Sequence, residues 1–236
     1  MFLLSPYRFG NTPSDPNFSN VVLLCHMEGA NGGATFTDSS SSAKTITVLT
    51  GTTNSNTQVK FGSTSCFITG SDSGGLSLAS SADFGFGAGD FTIEAWCYAT
   101  NVTSRLNTIF DCRLSGATGV QLFIGGGAYT VAASSIGCSS NTGILATGTG
   151  VSANTWLHCA LTRSGTTLRG FVGGAQAFSV TDSRTYASSA AVYIGRDPNG
   201  TSLQGFGGYL DDVRVTKGVA RYTANFTPPT AAFPDH

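Results

Sequence analysis

The chain has 236 residues, 11% of them charged, and a net charge of −1 at pH 7. No run of Lys or Arg offers a phosphate-binding surface, which argues against a nucleic acid partner. Nor does any apolar stretch approach the length needed to cross a membrane, so no insertion is expected. The apolar stretch at residues 1–4 is too short for a secretory signal, and the chain is expected to be made and kept in a cytosol. Glu occurs only at positions 28 and 94. Gly, Ser, Thr and β-branched residues are frequent and helix formers scarce, a balance that favours strands joined by turns.

Residues 1–19 carry Pro6, Pro13 and Pro16 with Tyr7, Phe9 and Phe18 between them. Prolines at that density forbid a regular element, and the aromatics suit an extended arm lying on a surface, either its own domain's or a neighbour's. The domain proper spans 20–236. Short strands are expected at residues 21–26, 45–49, 58–61, 65–69 and 76–78. The clearest strand is 91–98, where Phe91, Ile93, Ala95 and Cys97 alternate with Thr92, Glu94, Trp96 and Tyr98. The first set is wholly apolar and faces the core. Strands at 108–113, 120–124 and 129–133 follow, then a meander of 156–163, 167–172 and 177–180 joined by Ser164-Gly165 and Gly173-Gly174 turns. Strands 192–194 and 209–215 close the series. No segment holds a helical period. This spacing predicts an all-β, antiparallel two-sheet jelly-roll sandwich.

Six cysteines, at 25, 66, 97, 112, 138 and 159, show no metal-binding spacing. Cys97 and Cys159 fall within strands, as small buried hydrophobes do. A cytosolic product keeps its thiols reduced. Cys112 and Cys138 flank a possible hairpin and are the pair to check for a disulfide.

Four segments in order carry a resemblance: GDFTIEAWCYAT (89–100), NTWLHCALTRSGTTLRGFVGGAQ (154–176), AVYIGRDPNG (191–200) and GYLDDVRVTKGVARYTANFTPP (208–229). Together they resemble the laminin-G-like, concanavalin A-like lectin jelly rolls over roughly residues 20–230. The ending KGVARYTANFTPP is similar to copies carried by tailed-phage structural proteins. The resemblance implies that the segment from 222 to 229 packs back on its own sandwich.

Such a fold does not dictate a function, so each chemistry was weighed on its residues. Glycoside hydrolysis needs two carboxylates on one surface. Glu94 is the only glutamate within a strand, and strict alternation sets Asp211 and Asp212 on opposite faces, so no enzyme is expected. No cofactor is expected; the alternative that the resemblance implies is one calcium ion at the rim, with Asp38, Asp211 and Asp212 as candidate ligands. The competing reading of these residues is an Asx-turn at Asp38 and hydrogen bonds from backbone or Arg214 at the paired aspartates. A glycan would need an aromatic platform and polar neighbours, for which Tyr129, Tyr186, Arg196, Asp197 and Asn199 are the loop candidates. The turn composition of 196–200 also explains that segment without a ligand.

The expected function is a non-enzymatic virion structural protein of a tailed phage. It would decorate the capsid exterior through Tyr7, Phe9 and Phe18 of the arm, with weak glycan binding at the exposed rim. The alternative is a carbohydrate-binding adhesin module of a phage tail or fibre. Expected partners are capsid or tail proteins and cell-surface glycans, in a multi-copy assembly with which a homo-oligomer is compatible. The expected location is the virion surface, after assembly in the host cytoplasm.

Overall fold

The computed structural model describes residues 14–113, 118–187, 190–200 and 202–236. Its strands form two antiparallel sheets stacked as a sandwich. The first sheet comprises β1 (Val21–Cys25), β3 (Thr52–Ser55), β4 (Ser65–Thr69), β6 (Phe91–Ala99), β11 (Leu157–Ser164), β12 (Thr167–Val172), β13 (Ala175–Thr181) and β15 (Gly207–Lys217). Its order is β13-β12-β11-β6-β15-β4-β3, and β1 also pairs with β15. The second sheet comprises β2 (Ile46–Val48), β5 (Leu76–Leu78), β7 (Arg105–Asp111), β8 (Val120–Gly126), β9 (Ser135–Ser140), β10 (Gly143–Thr149) and β14 (Val192–Ile194), in the order β10-β9-β8-β7-β14-β5-β2.

Alternation places the core. Phe91, Ile93, Ala95 and Cys97 of β6 join Leu210, Val213 and Val215 of β15 in one continuous apolar layer. Leu122 and Ile124 of β8, Ile109 and Phe110 of β7 and Val192 and Ile194 of β14 meet them from the second sheet. All six cysteines are buried thiols. Cys112 and Cys138 are not joined; the Cys112 Sγ lies 3.3 Å from the Val120 N–H and 3.4 Å from its carbonyl.

Several expected elements differ, each for a local reason. Residues 58–61 are not a strand, because the Lys60 and Phe61 N–H groups donate to the Asp211 carboxylate rather than to a ladder. β3 lies earlier in the chain. Residues 129–133 are a turn, with Tyr129 and Thr130 at φ of +53° and +64°. The strand after it, β9, and the edge strand β10 carry small residues without apolar alternation and had no sequence signal.

The outer face of the first sheet is sealed by the chain's own C-terminal segment. Residues 219–236 form no strand or helix. Thr92 Oγ1 donates to the Val219 carbonyl at 2.9 Å, Thr162 Oγ1 to that of Tyr222 at 2.7 Å, and the Phe226 N–H to that of Gly174 at 2.9 Å. Tyr222 stacks on Phe226 with centroids 3.6 Å apart, and both rings meet His158 edge-on. The segment therefore packs on its own sandwich, as its resemblance implies. The described part of the arm joins it. The Asp15 N–H donates to the His236 carbonyl at 2.8 Å, and Phe18 packs half-buried against Val21, Leu24 and Phe233. Phe18 is thus a contact within the domain, whereas Tyr7 and Phe9 lie outside the described residues.

Beneath this cover sits a buried charge network. Glu94, fully buried, accepts from Arg214 Nε at 2.9 Å, from the Tyr222 hydroxyl at 2.7 Å, and lies 3.0 Å from His158 Nε2. Arg214 and Arg221 both bind Asp15, at 3.1 and 2.6 Å. Burial opposes ionisation of Glu94, but Arg214, His158 and Tyr222 overcome it and bring its carboxyl down to about 2. Because that pKa is depressed, the associated stability is present above the ordinary value of 4.5 and is lost as pH falls toward about 2. Replacing Glu94 with Ala strands Arg214 in the interior. Urea denaturation should show a loss of about 3–5 kcal/mol, as for breaking one partner of a buried pair.

Candidate functional site

The depressions among the described residues include two whose linings join aromatic rings to polar side chains. One, of about 300 Å³, lies at the edge of the sealed face between His26, Glu28, Phe61, Asp212, Phe233 and Asp235. Its acidic groups are already engaged. His26 Nδ1 lies 2.6 Å from Asp212 Oδ1, the Phe233 N–H donates to Asp212 Oδ2 at 2.6 Å, and Glu28 accepts from the Ser63 N–H and hydroxyl.

The geometry here corrects the expectation that Asp211 and Asp212 face opposite sides. Asp211 is in register with Trp96 and Arg214 with Glu94, so two residues of β15 oppose Ala95 alone. Asp212, at φ +49°, sits in this bulge, which re-aims its side chain. Both carboxylates therefore serve the outer face. Asp211 Oδ2 binds the Lys60 and Phe61 N–H groups, beside Trp96, and Asp212 anchors Phe233.

Nor does a calcium set assemble. Asp38 accepts the Leu24, Ser40 and Lys44 N–H groups at 3.0, 3.0 and 2.8 Å, fixing a turn. With Asp211 and Asp212 likewise spent on backbone and His26, the three candidates act as separate chain clamps. Among the described residues no group of three or more His, Cys, Asp or Glu is placed to hold a metal ion.

The second depression, about 260 Å³, opens on the outer face of the second sheet. It is lined by Leu106, Arg113, Gln121, Phe123, Tyr129, Ser139, Gly143, Ile144 and Gln204. Sheet register builds its floor. Tyr193, Asp111, Gln121, Ser139 and Ile144 are cross-strand neighbours in one row from β14 to β10. Gln121 Nε2 donates to Thr108 Oγ1 at 2.9 Å and to Gln204 Oε1 at 3.0 Å, while its Oε1 accepts from Ser139 at 2.5 Å. Arg113 extends the network, donating to Ser139 Oγ at 2.9 Å and to Asp111 through Nε and Nη2. Burial pushes Asp111 up to about 7 against the pull of Arg113. Asp197 places a second carboxylate 3.7 Å from the same guanidinium.

The walls are apolar. Leu106, Phe123 and Val131 form a small cluster separate from the main core, and Ile144 is 41% exposed. Tyr129, also 41% exposed, completes the rim, and its hydroxyl donates to the Ser202 carbonyl. Gln204 is held in place by Asp72, which accepts the Leu203, Gln204 and Gly205 N–H groups at 2.8–3.1 Å. A side chain at Gly137 would overlap the Phe123 ring, so glycine there lets Phe123 lie across β9.

Of the five expected glycan residues, the structure brings three to this cleft. Tyr129 lines it, and Asp197 and Asn199 converge on Arg113 at its edge, Asn199 through a 2.9 Å bond to Asp197 and a 3.5 Å contact with the Arg113 carbonyl. Arg196 lies beside them, its guanidinium 5.3 Å from the Tyr193 ring centre. Tyr186 is a correction. It is fully buried, its hydroxyl donates to Asp182 at 2.6 Å, and it packs edge-on against Phe91. No face of that ring meets solvent. Sequence reasoning missed Arg113, Gln121, Ser139 and Gln204. Only Gln121 had a signal, as the polar break in the apolar run of β8.

Two antiparallel sheets stacked in this strand order define the class of concanavalin A-like sandwiches. Residues 69–221 match the laminin G model described as the concanavalin A-like lectin/glucanases superfamily, and the chain belongs to that superfamily. Among solved structures, domain 4 of AbnA, an extracellular arabinanase from Geobacillus stearothermophilus in complex with arabinotriose, superposes with a TM-score of 0.62 at 16% identity. That match covers 85% of this chain and 94% of that one. The binding domain of paraclostridial mosquitocidal protein 1 gives a TM-score of 0.63 at 12% identity, over 86% of this chain and 50% of its own length. The binding domain of botulinum neurotoxin DC in complex with SialylT gives 0.59 at 12%, over 86% and 49%. This chain therefore spans about half of each toxin binding domain. No curated protein sequence matches it significantly.

Two outcomes follow from these contacts. Burial raises Asp211 from its ordinary 3.8 to about 7, so the folded chain retains a proton that the unfolded chain releases, and stability falls as pH rises between those values. Asp211→Asn keeps an acceptor for Lys60 and Phe61 and removes the charge. Denaturation at pH 8 should show it more stable than wild type by about 1–3 kcal/mol, the scale of an orphaned buried polar atom, with little difference at pH 4. Gly137→Ala should displace Phe123 and lower stability by about 1–3 kcal/mol, the range for overpacking, readable as a drop in melting temperature.

Proposed function

We propose that this chain is a carbohydrate-binding module acting by stoichiometric recognition, with the cleft on the second sheet as its site. The carrying observation is the exposed Tyr129 ring standing at the mouth of a cleft floored by Gln121, Ser139 and Gln204. An apolar ring with a few convergent polar groups suits a sugar, which offers an apolar C–H face and a rim of hydroxyls. The similarity in fold to a domain bound to arabinotriose supports the reading.

Binding without turnover is part of the same proposal. Glu94, the one glutamate within a strand, is ionised, fully buried and sealed beneath the C-terminal segment, where no substrate reaches it. Placement on a tailed phage rests on the resemblance of the KGVARYTANFTPP ending, and within a phage the carbohydrate-binding reading favours a tail or fibre module over a capsid decoration. The expected virion-surface location and assembly in the host cytoplasm belong to that proposal. Phe18, offered as a docking group, is already committed to the chain's own surface.

A glycan array probed with the purified chain should give saturable binding. Tyr129→Ala should weaken it about tenfold or more, as loss of an aromatic anchor does. An array without signal, alongside saturable attachment of the chain to particles lacking it, would favour the decoration role instead.

A further inference from the structure

We infer that the cleft accepts a single uncharged sugar unit and selects against sialic and uronic acids; this rests on the carbohydrate-binding reading. Recognition of a carboxylate needs a cation with donors to spare, typically an Arg fork. The cleft has one Arg in its lining, and that Arg is committed. Arg113 gives Nε and Nη2 to Asp111, gives Nη1 to Ser139, and has Asp197 3.7 Å away. Two carboxylates thus attend one guanidinium before any ligand arrives.

Neither of the other nearby cations is part of the cleft's lining. Arg196 lies against the Tyr193 ring and donates through Nε to the Asp197 carbonyl at 3.4 Å. Arg105 donates to the Gly70 carbonyl and sits 3.8 Å from Asp72. Residues 114–119, which follow Arg113 in sequence, include no charged side chain. An acidic sugar would bring its charge beside Asp197 with no uncommitted cation in the lining to receive it, and like charges brought together carry a penalty.

What the cleft does offer is neutral. Gln204 uses Oε1 to accept from Gln121, and its Nε2 has no protein partner among the described residues. That amide supplies uncharged donors for a hydroxyl, and the Tyr129, Leu106 and Ile144 side chains supply apolar contact. At about 260 Å³ the space falls just below the range of about 300–1,000 Å³ typical of drug-sized ligands, which gives room for one monosaccharide.

The test is calorimetric titration of the intact chain, at physiological salt, with neutral arabino- and galacto-oligosaccharides against sialyllactose and oligogalacturonate. Saturable binding of a neutral sugar, lost about tenfold in Tyr129→Ala, with the acidic sugars at least about tenfold weaker, is the expected result. Ile144→Lys, at an exposed position of an edge strand where folding is not at stake, places a cation on the rim and should raise affinity for sialyllactose about tenfold. Equal or tighter binding of the acidic sugars by the wild-type chain overturns the selectivity. Neutral binding untouched by Tyr129→Ala overturns the location. Silence with all four sugars overturns the carbohydrate reading itself, a failure distinct from the other two.

Discussion

The ionised carboxylate of Glu94 is the constraint on which the rest of the molecule is arranged. A charge fully removed from water is tolerated only when matched and hydrogen-bonded. Its partners come from four places in the chain: His158 on β11, Arg214 on β15, Tyr222 in the C-terminal segment, and Asp15 through Arg214. Satisfying one side chain therefore draws the strand pairing, both terminal segments and the bulge at Asp212 into one arrangement. It also decides which face of the sandwich remains available. With the outer face of the first sheet given over to this network and its cover, the proposed site lies on the second.

There the logic is different. The row from Tyr193 to Ile144 is built by sheet register, residue against residue, and its polar groups mostly satisfy one another. Such a floor is rigid, because each amide and hydroxyl is oriented by its neighbour before a ligand arrives. Rigidity lowers the ordering cost of binding. The loops then add what a sheet cannot: a ring in a left-handed turn at Tyr129, and an amide aimed by the Asp72 carboxylate at Gln204.

The fold was legible in the sequence wherever burial imposes a period of two. β6 shows it most plainly, and β4, β5, β12 and β14 have the very bounds their residues suggested. Legibility failed where side chains rather than ladders take up the backbone, as at Lys60 and Phe61, and where small residues erase the contrast between faces, as in β9 and β10. The site was harder. Tyr129, Asp197 and Asn199, chosen from loop composition, lie at or beside the cleft, and the same rule wrongly included Tyr186, whose core position is set by packing against Phe91. Arg113, Ser139 and Gln204 come together only through pairing between strands distant in sequence, which composition does not encode. The alternation argument for Asp211 and Asp212 failed at a single inserted residue, which no period reveals.

The bond from the Asp15 N–H to the His236 carbonyl has a consequence for how the domain can be carried. Residues 15 and 236 are side by side, on the outer side of the first sheet. The cleft opens on the far side, beyond two sheets whose mean planes stand about 10 Å apart. A connection made through either position would thus leave from the side opposite the cleft. Held that way, the domain would stand out like a knob on a stalk, its tether behind it and its cleft turned outward.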